Sequence, residues 1–249
     1  MKLLIDAGNT HCKYLTVQNG IFSSITNIDT EQINQHWLAQ NFATVEQCLV
    51  SNVSDEKLNA IISSWCKKGS IQYGFIESEA ERFNVQCAYD NPKAFGVDRW
   101  LGLLGTNVLF PNQASLIVDS GTATTIDLLS SKGKHQGGWI LPGIDLMFSS
   151  VINNTSKVQA TPEVIEQIKF SSNTSHAVNQ ANWAATAGLV TTAIATAHKH
   201  YLQPSESLNV ILTGGNAKQL AQLIDVKSHL IENLIFIGMN RYHAIKAHN

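Results

Sequence analysis

Two stretches of the chain share one pattern: Leu3 to Leu15 reads LLIDAGNTHCKYL, and Leu116 to Leu128 reads LIVDSGTATTIDL. Each is a short apolar run, an Asp, a small residue, a Gly, small polar residues and a second apolar run, as expected of two strands joined by a tight turn. Aligned, the copies pair Asp6 with Asp119, Gly8 with Gly121 and Asn9 with Thr122 at one constant offset. A duplicated hairpin implies a duplicated fold, with the second half beginning at Ser115.

A Gly after a strand-ending Asp lets backbone N–H groups approach an anion with no Cβ in the way, and Asn9, Thr10, Thr122 and Thr124 add uncharged donors. The carboxylates cannot bind phosphate directly, but they can hold a divalent cation through its waters. Two such hairpins facing one another would form a metal–phosphate clamp, to which Lys13 would add a cation. Asp-Gly turns are also ordinary hairpin chemistry, and one of them alone would carry no function. The repetition is what points further.

Composition narrows the class. The 249 residues are 44% hydrophobic and 14% charged, enough for a substantial core. A formal net charge of −2 with no Lys/Arg run argues against a nucleic-acid partner. Cys12, Cys48, Cys66 and Cys87 show no paired spacing and read as free thiols of a reducing compartment. The N-terminus enters a strand pattern without an export signal, so a cytoplasmic protein is expected. The most membrane-like stretch, Trp183 to Ala197, is too short to span and carries four Thr. No P-loop, dinucleotide fingerprint, zinc-ligand spacing or serine elbow occurs, so phosphate handling falls to the hairpins.

In order, the chain predicts a third antiparallel strand in IFSSITNI after Gly20. A helix follows, capped by Asp29 or Thr30 and running to Gln40, then a strand in VEQCLVSN. A second helix capped by Ser54 buries Leu58, Ile61, Ile62 and Trp65 up to Gly69, with Trp37 and Trp65 as core residues. IQYGFI is a strand. A loop from Phe83 to Phe95, carrying Tyr89, leads to a helix with Val97, Leu101, Leu104 and Val108 on one stripe. Beyond the second hairpin, Gly137-Gly138 forms either a strand bulge or a close approach to a ligand. Helices are expected over 144–157 and from Asn173 or Thr174 through the Ala/Thr-rich stretch, the candidate subunit contact. LNVILT is a strand that ends in a Gly-Gly turn and a helix. LIFIGM is a final strand, followed by a terminal helix carrying Arg241, His243, Lys246 and His248.

Asp98 falls in the first turn of its helix. There an Asp ordinarily stabilises the helix dipole. Following a loop with a Tyr and preceding the second hairpin, it is also placed to accept a proton from a substrate hydroxyl.

DAGNTHCK at Asp6 to Lys13, GVDR at Gly96 to Arg99, DSGTATTID at Asp119 to Asp127, GGWILPG at Gly137 to Gly143 and TGG at Thr213 to Gly215 resemble, in identity and order, the motif set of type III pantothenate kinases. These belong to the acetate kinase, sugar kinase, Hsp70 and actin superfamily. The resemblance implies an α/β fold of two duplicated ribonuclease H-like (actin/Hsp70-like) halves, 1–114 and 115–249, with a nucleotide cleft between them. It implies ATP-dependent phosphorylation of pantothenate to 4′-phosphopantothenate, the first step of coenzyme A biosynthesis. ATP would bind Asp6, Ala7, Gly8, Asn9, Thr10, His11, Cys12 and Lys13, with Thr122, Thr213, Gly214 and Gly215. Pantothenate would meet Tyr89, Gly96, Val97, Asp98, Arg99 and Thr174, with Asp98 as the general base. Asp6 would hold Mg²⁺ through water, and Asp119 a monovalent cation, potassium or ammonium. A homodimer is expected. Two competing readings are a Bvg accessory factor-type regulator without kinase activity and an ATP-switch protein of the actin or Hsp70 kind.

Overall fold

The computed structural model describes residues 1–8, 11–53 and 56–243. Asn9, Thr10, the expected cap Ser54, and Lys246 and His248 lie outside the described residues. The chain divides into two units. One comprises Met1–Phe83, Tyr89–Val108 and the described part of Asn233–Asn249; the other comprises Asn84–Ala88 and Leu109–Glu232.

In the first unit the central strand is β1 (Lys2–Ala7). β2 (His11–Gln18) runs antiparallel on one side, and two short strands, β3 (Ile21–Phe22) and β4 (Thr26–Asp29), both pair with β2. On the other side β5 (Gln47–Asn52) and then β6 (Gln72–Ile76) run parallel. The helices are α1 (Gln35–Asn41), α2 (Glu56–Lys68) and α3 (Val97–Leu109). Two-residue strands β7 (Glu81–Arg82) and β8 (Val85–Gln86) lie on the way to α3. Leu3, Ile5, Cys12, Cys48, Val50, Leu58, Ile62 and Trp65 fill the core.

The second unit repeats this plan. Its central strand β9 (Ala114–Ser120) has β10 (Ala123–Leu129) antiparallel beside it, then β11 (His135–Pro142). On the other side β12 (Leu208–Thr213) and β13 (Ser228–Leu230) run parallel. The helices are α4 (Ile144–Asn153), α5 (Thr174–His200) and α6 (Ala217–Leu223), and α7 (Leu234–Asn240) returns to the first unit. An antiparallel hairpin followed by two parallel additions, twice over, is the α/β, actin/Hsp70-like architecture expected of the duplication. The loops differ by one residue: Asp6 pairs with Lys13, whereas Asp119 pairs with Thr125.

Several elements differ from the sequence expectation. IFSSITNI is two short strands. Thr30 starts a three-residue 3₁₀ turn, and its hydroxyl donates to the Gly8 carbonyl at 3.1 Å. The helix begins later because the Asn34 side chain accepts from the Trp37 N–H at 2.9 Å, a stronger local cap. α4 stops at Asn153, where the Asn154 amide and the Thr155 hydroxyl donate to the carbonyls of Ser150 and Val151, both at 2.8 Å, in place of a further helical turn. Val108 is 44% exposed, off the buried face of α3. Gly137, at φ +102°, sits at the register shift between β10 and β11, so it is a bulge residue.

LIFIGM is helical, in α7, and not a strand, and Arg241 and His243, expected on a terminal helix, lie beyond its last residue, Asn240. Its β-branched run suits either state; packing decides. α7 meets α3 backbone to backbone, since a Cβ added at Gly238 would strike the Leu101 carbonyl and one at Gly105 the Leu234 carbonyl. Gly105→Ala should therefore lower the melting temperature by roughly 5 °C, as overpacking by 1–3 kcal/mol predicts for a chain of this size. Thermal denaturation followed by circular dichroism checks this.

Candidate active site

In the first unit the site begins where β1 emerges from the core. Leu3, Leu4 and Ile5 are at most 1% exposed, and this rigid strand delivers Asp6 at its end. Parallel pairing puts Asp6 in register with Ser51, whose hydroxyl donates to Asp6 Oδ1 at 2.6 Å. Burial pushes the Asp6 carboxyl above its ordinary range; the Ser51 hydrogen bond and Lys13 oppose the rise, and the neighbouring Asp98 carboxylate adds to it. The sequence gives no hint of Ser51, because the pairing joins strands far apart in the chain.

The turn is closed by the Gly8 N–H donating to the His11 carbonyl at 3.0 Å. That amide is therefore committed to the hairpin. Lys13 is exposed opposite Asp6. His11 is exposed and pairs through Nδ1 with Asp29 at 3.0 Å. Ala7 and Cys12 are fully buried. Burial, with the Asp6 charge, pushes the Cys12 thiol up to about 12, so its side chain belongs to the core and only its backbone faces the turn.

The second element of this unit is the start of α3. The Arg99 N–H donates to Asp98 Oδ1 at 2.8 Å, fixing one carboxylate oxygen at the first turn. A Cβ added at Gly96 would stand 2.6 Å from that oxygen, so only glycine leaves room for this Asp98 rotamer. Arg99 is 8% exposed, with its guanidinium 4.7 Å over the Phe95 ring and Nη1 donating to the Tyr89 hydroxyl at 3.2 Å. Tyr89, Gly96, Val97, Asp98 and Arg99 thus form one contiguous group. Beside Gly96 and Val97 lies a cavity of about 320 Å³, lined also by Asn52, Ile76, Ser78 and Lys93.

In the second unit Asp119 stands in register with Thr213, as Asp6 does with Ser51. Gly214, at φ +91°, lies so close that an added Cβ would strike the Asp119 carboxylate and stand 2.6 Å from the Ser120 carbonyl. The TGG turn and the second hairpin therefore meet at one place. Thr213 is buried, while Thr122 and Gly215 are exposed. Thr124, expected as a donor to phosphate, is fully buried with its hydroxyl 3.3 Å from that of Ser120. Gly143 belongs to the same turn, its N–H donating to the Thr122 carbonyl at 3.0 Å. Asp127 is buried on His135 Nε2 at 2.9 Å, a structural pair whose Nδ1 faces the Ala88 N–H at 3.4 Å. Thr174 is the exposed first residue of α5, capped by Asn173, which accepts from the His176 N–H at 3.1 Å.

A sequence model described as type III pantothenate kinase matches residues 2–196. The chain belongs to the type III pantothenate kinase family. A relative of that name from Colwellia psychrerythraea is 38% identical, covering 97% of this chain and 100% of its own length. Another from Azoarcus sp. is 32% identical, covering 96% and 89%. Among solved structures, a conserved Campylobacter jejuni protein assigned to the Baf family of transcriptional activators aligns with a TM-score of 0.61 at 21% identity, covering 96% of each chain. The ethanolamine utilization protein EutJ of Carboxydothermus hydrogenoformans aligns at 0.50 with 12% identity, covering 96% and 88%. At these identities the two structures speak for the fold. Among the described residues, no helix is long and apolar enough to cross a membrane.

Two predictions follow from the first-unit geometry. Because folding raises the Asp6 pKa, the buried charge costs nothing while the group is protonated in both states. The cost then grows as pH rises from its unfolded value of 3.8 through the raised folded one. Asp6→Asn should accordingly raise the melting temperature of the ligand-free, EDTA-treated protein at neutral pH by about 2–4 °C. The gain should shrink towards pH 4 in a calorimetric pH series. Gly96→Ala should keep the fold and lower pantothenate-dependent turnover by roughly 10- to 100-fold, by driving the Asp98 carboxylate off its position. Steady-state kinetics with a thermal-melt control measures it.

Proposed function

We propose that this family member transfers the γ-phosphoryl group of ATP to the primary hydroxyl of pantothenate, giving 4′-phosphopantothenate, the entry to coenzyme A biosynthesis. The observation that carries the reading is the presence, within one unit, of two oriented carboxylates, Asp6 at a strand end held by the Ser51 hydroxyl and Asp98 at a helix start held by the Arg99 N–H, with Arg99 buried.

In this reading Asp98 accepts the hydroxyl proton as that oxygen bonds to the γ-phosphorus, and the bond to the β–γ bridging oxygen breaks to release ADP. Asp98 Oδ1 is occupied by the Arg99 N–H, which orients the carboxylate towards its acceptor role. Arg99 offers parallel donors to the pantothenate carboxylate, its plane held by Phe95 and Tyr89. The cavity beside Gly96 and Val97 has room for a small acid. Thr174, in the second unit, is a further pantothenate-binding candidate of the same family reading.

For ATP, residues 6–13 of the first hairpin serve the phosphates, with Lys13 supplying charge. In the second unit, Thr122 and Thr213 to Gly215 are the nucleotide-binding candidates of the same family reading. Among the described residues, no group of three or more His, Cys, Asp or Glu could hold a metal ion. Mg²⁺ with phosphate ligands and water needs only one or two protein carboxylates, and Asp6, oriented by Ser51, supplies one. Bound there, the ion would neutralise charge on the transferring phosphoryl group. Asp119 is the corresponding candidate for potassium or ammonium. A homodimer belongs to the same reading, supported by the exposed small residues Ala185, Gly188 and Thr192 along α5.

The decisive experiment is ADP release with Mg²⁺ and potassium, with and without pantothenate. Pantothenate should stimulate release by the wild type, and Asp98→Asn should lose turnover by about 100- to 10,000-fold while ATP binding, read by calorimetry, persists. If pantothenate leaves ADP release unchanged in a wild type that binds ATP, the kinase reading fails.

A further inference from the structure

The segment Gly96–Arg99 is gripped from both flanks by groups of the first unit. On the leading side the Ser78 hydroxyl donates to the Phe95 carbonyl at 2.7 Å. On the trailing side the indole Nε1–H of the fully buried Trp100 donates to the Tyr242 hydroxyl at 3.0 Å. The same hydroxyl donates to Glu79 Oε1 at 2.7 Å. Ser78 and Glu79 are consecutive, so one dipeptide leaving β6 holds both flanks, directly through Ser78 and by way of Tyr242 through Glu79.

Tyr242 also reaches β1. Lys2 Nζ donates to Asn240 Oδ1 at 3.0 Å, the Asn240 carbonyl at 3.3 Å and the Tyr242 carbonyl at 3.4 Å. Lys2 begins the strand that ends at Asp6. The Tyr242 ring packs edge-on against Phe83 at 5.2 Å, with the Arg82 guanidinium 5.8 Å from its centre. Burial pushes the phenol well up, so it keeps its proton and remains a donor to Glu79.

We propose that Tyr242 is a positioning residue that ties the start of β1 and the exit of β6 to the first turn of α3, and thereby sets Asp98 relative to Asp6. The inference rests on the reading of Asp98 as the base. Its hydroxyl both accepts from Trp100 and donates to Glu79, and phenylalanine could do neither. Asp98 lies two residues from Trp100, whose backbone N–H donates to the Gly96 carbonyl at 3.0 Å, so play at the indole is passed to the carboxylate within one helical turn.

The test is Tyr242→Phe in the full chain, with kcat expressed per ATP-binding site counted by titration. Expected are a roughly 10- to 100-fold lower kcat with KM for ATP unchanged, and more than one ADP released per phosphopantothenate formed. Misalignment of the hydroxyl lets water compete for the γ-phosphorus. Glu79→Ala should move both readouts the same way, and the double variant should be no worse than Tyr242→Phe alone, since the two share one hydrogen bond. A purely structural Tyr242 would lower stability and leave kcat per site and the ratio of one untouched, which would overturn the proposal. Should Tyr242→Phe fail to fold, Glu79→Ala decides by the same two readouts. A wild type that ignores pantothenate defeats the kinase reading instead. Loss in Asp98→Asn with normal behaviour in Tyr242→Phe defeats only the positioning role.

Discussion

A carboxylate at the end of a buried strand costs folding energy, and the first unit is arranged around meeting that cost. Asp6 sits where β1 leaves the core, so its charge is partly stripped of water, and the Asp98 charge makes matters worse. A short hydrogen bond from Ser51 helps to hold it, available only because β5 runs parallel to β1 in one register. A slip of one residue would turn every side chain of β5 to the other face and remove that donor. The register is in turn fixed by the alternation of core residues: Leu3 and Ile5 on β1, and Cys48 and Val50 on β5, share one hydrophobic cluster. The same layout recurs with Asp119 and Thr213, so the duplication preserves a relationship between strands as well as a hairpin motif.

The helix elements serve the site through backbone geometry more than through side-chain chemistry. α3 brings Asp98 and Arg99 into its first turn because a glycine precedes them and leaves room for the carboxylate. Its far side is closed by α7 at a glycine-to-glycine crossing near Gly105 and Gly238. A helix held this tightly transmits small displacements, since a packed interior yields little before atoms collide. This is why a hydroxyl at Tyr242, remote in sequence, bears on the orientation of a carboxylate at Asp98.

Legibility followed locality. The hairpins at Asp6 and Asp119, the helix start at Asp98 and the turn after Thr213 are built from neighbours in sequence, and their signals were readable. Ser51 was not, because its role arises from pairing across an intervening helix. The LIFIGM run reads as a strand in the sequence but folds as α7, since β-branched residues fit both states and the contact with α3 tips the balance. Thr124 has the composition of a phosphate donor, yet its position on β10 turns it inward to Ser120. Cys12, within the hairpin motif, faces the core for the same reason: alternate strand residues point to opposite sides.

By itself the sequence determined the duplicated α/β plan, the strand-end carboxylates and the family, because each of these is written in short-range patterns and in the order of motifs along the chain. The tertiary structure alone decided which side chains of those motifs face the site, which hydroxyl holds Asp6, and which residues bracket Asp98. The physical reason is that strand register and helix crossing are set by the packing of apolar faces and by backbone approach at glycine. Both bring together residues between which the chain itself carries no local signal.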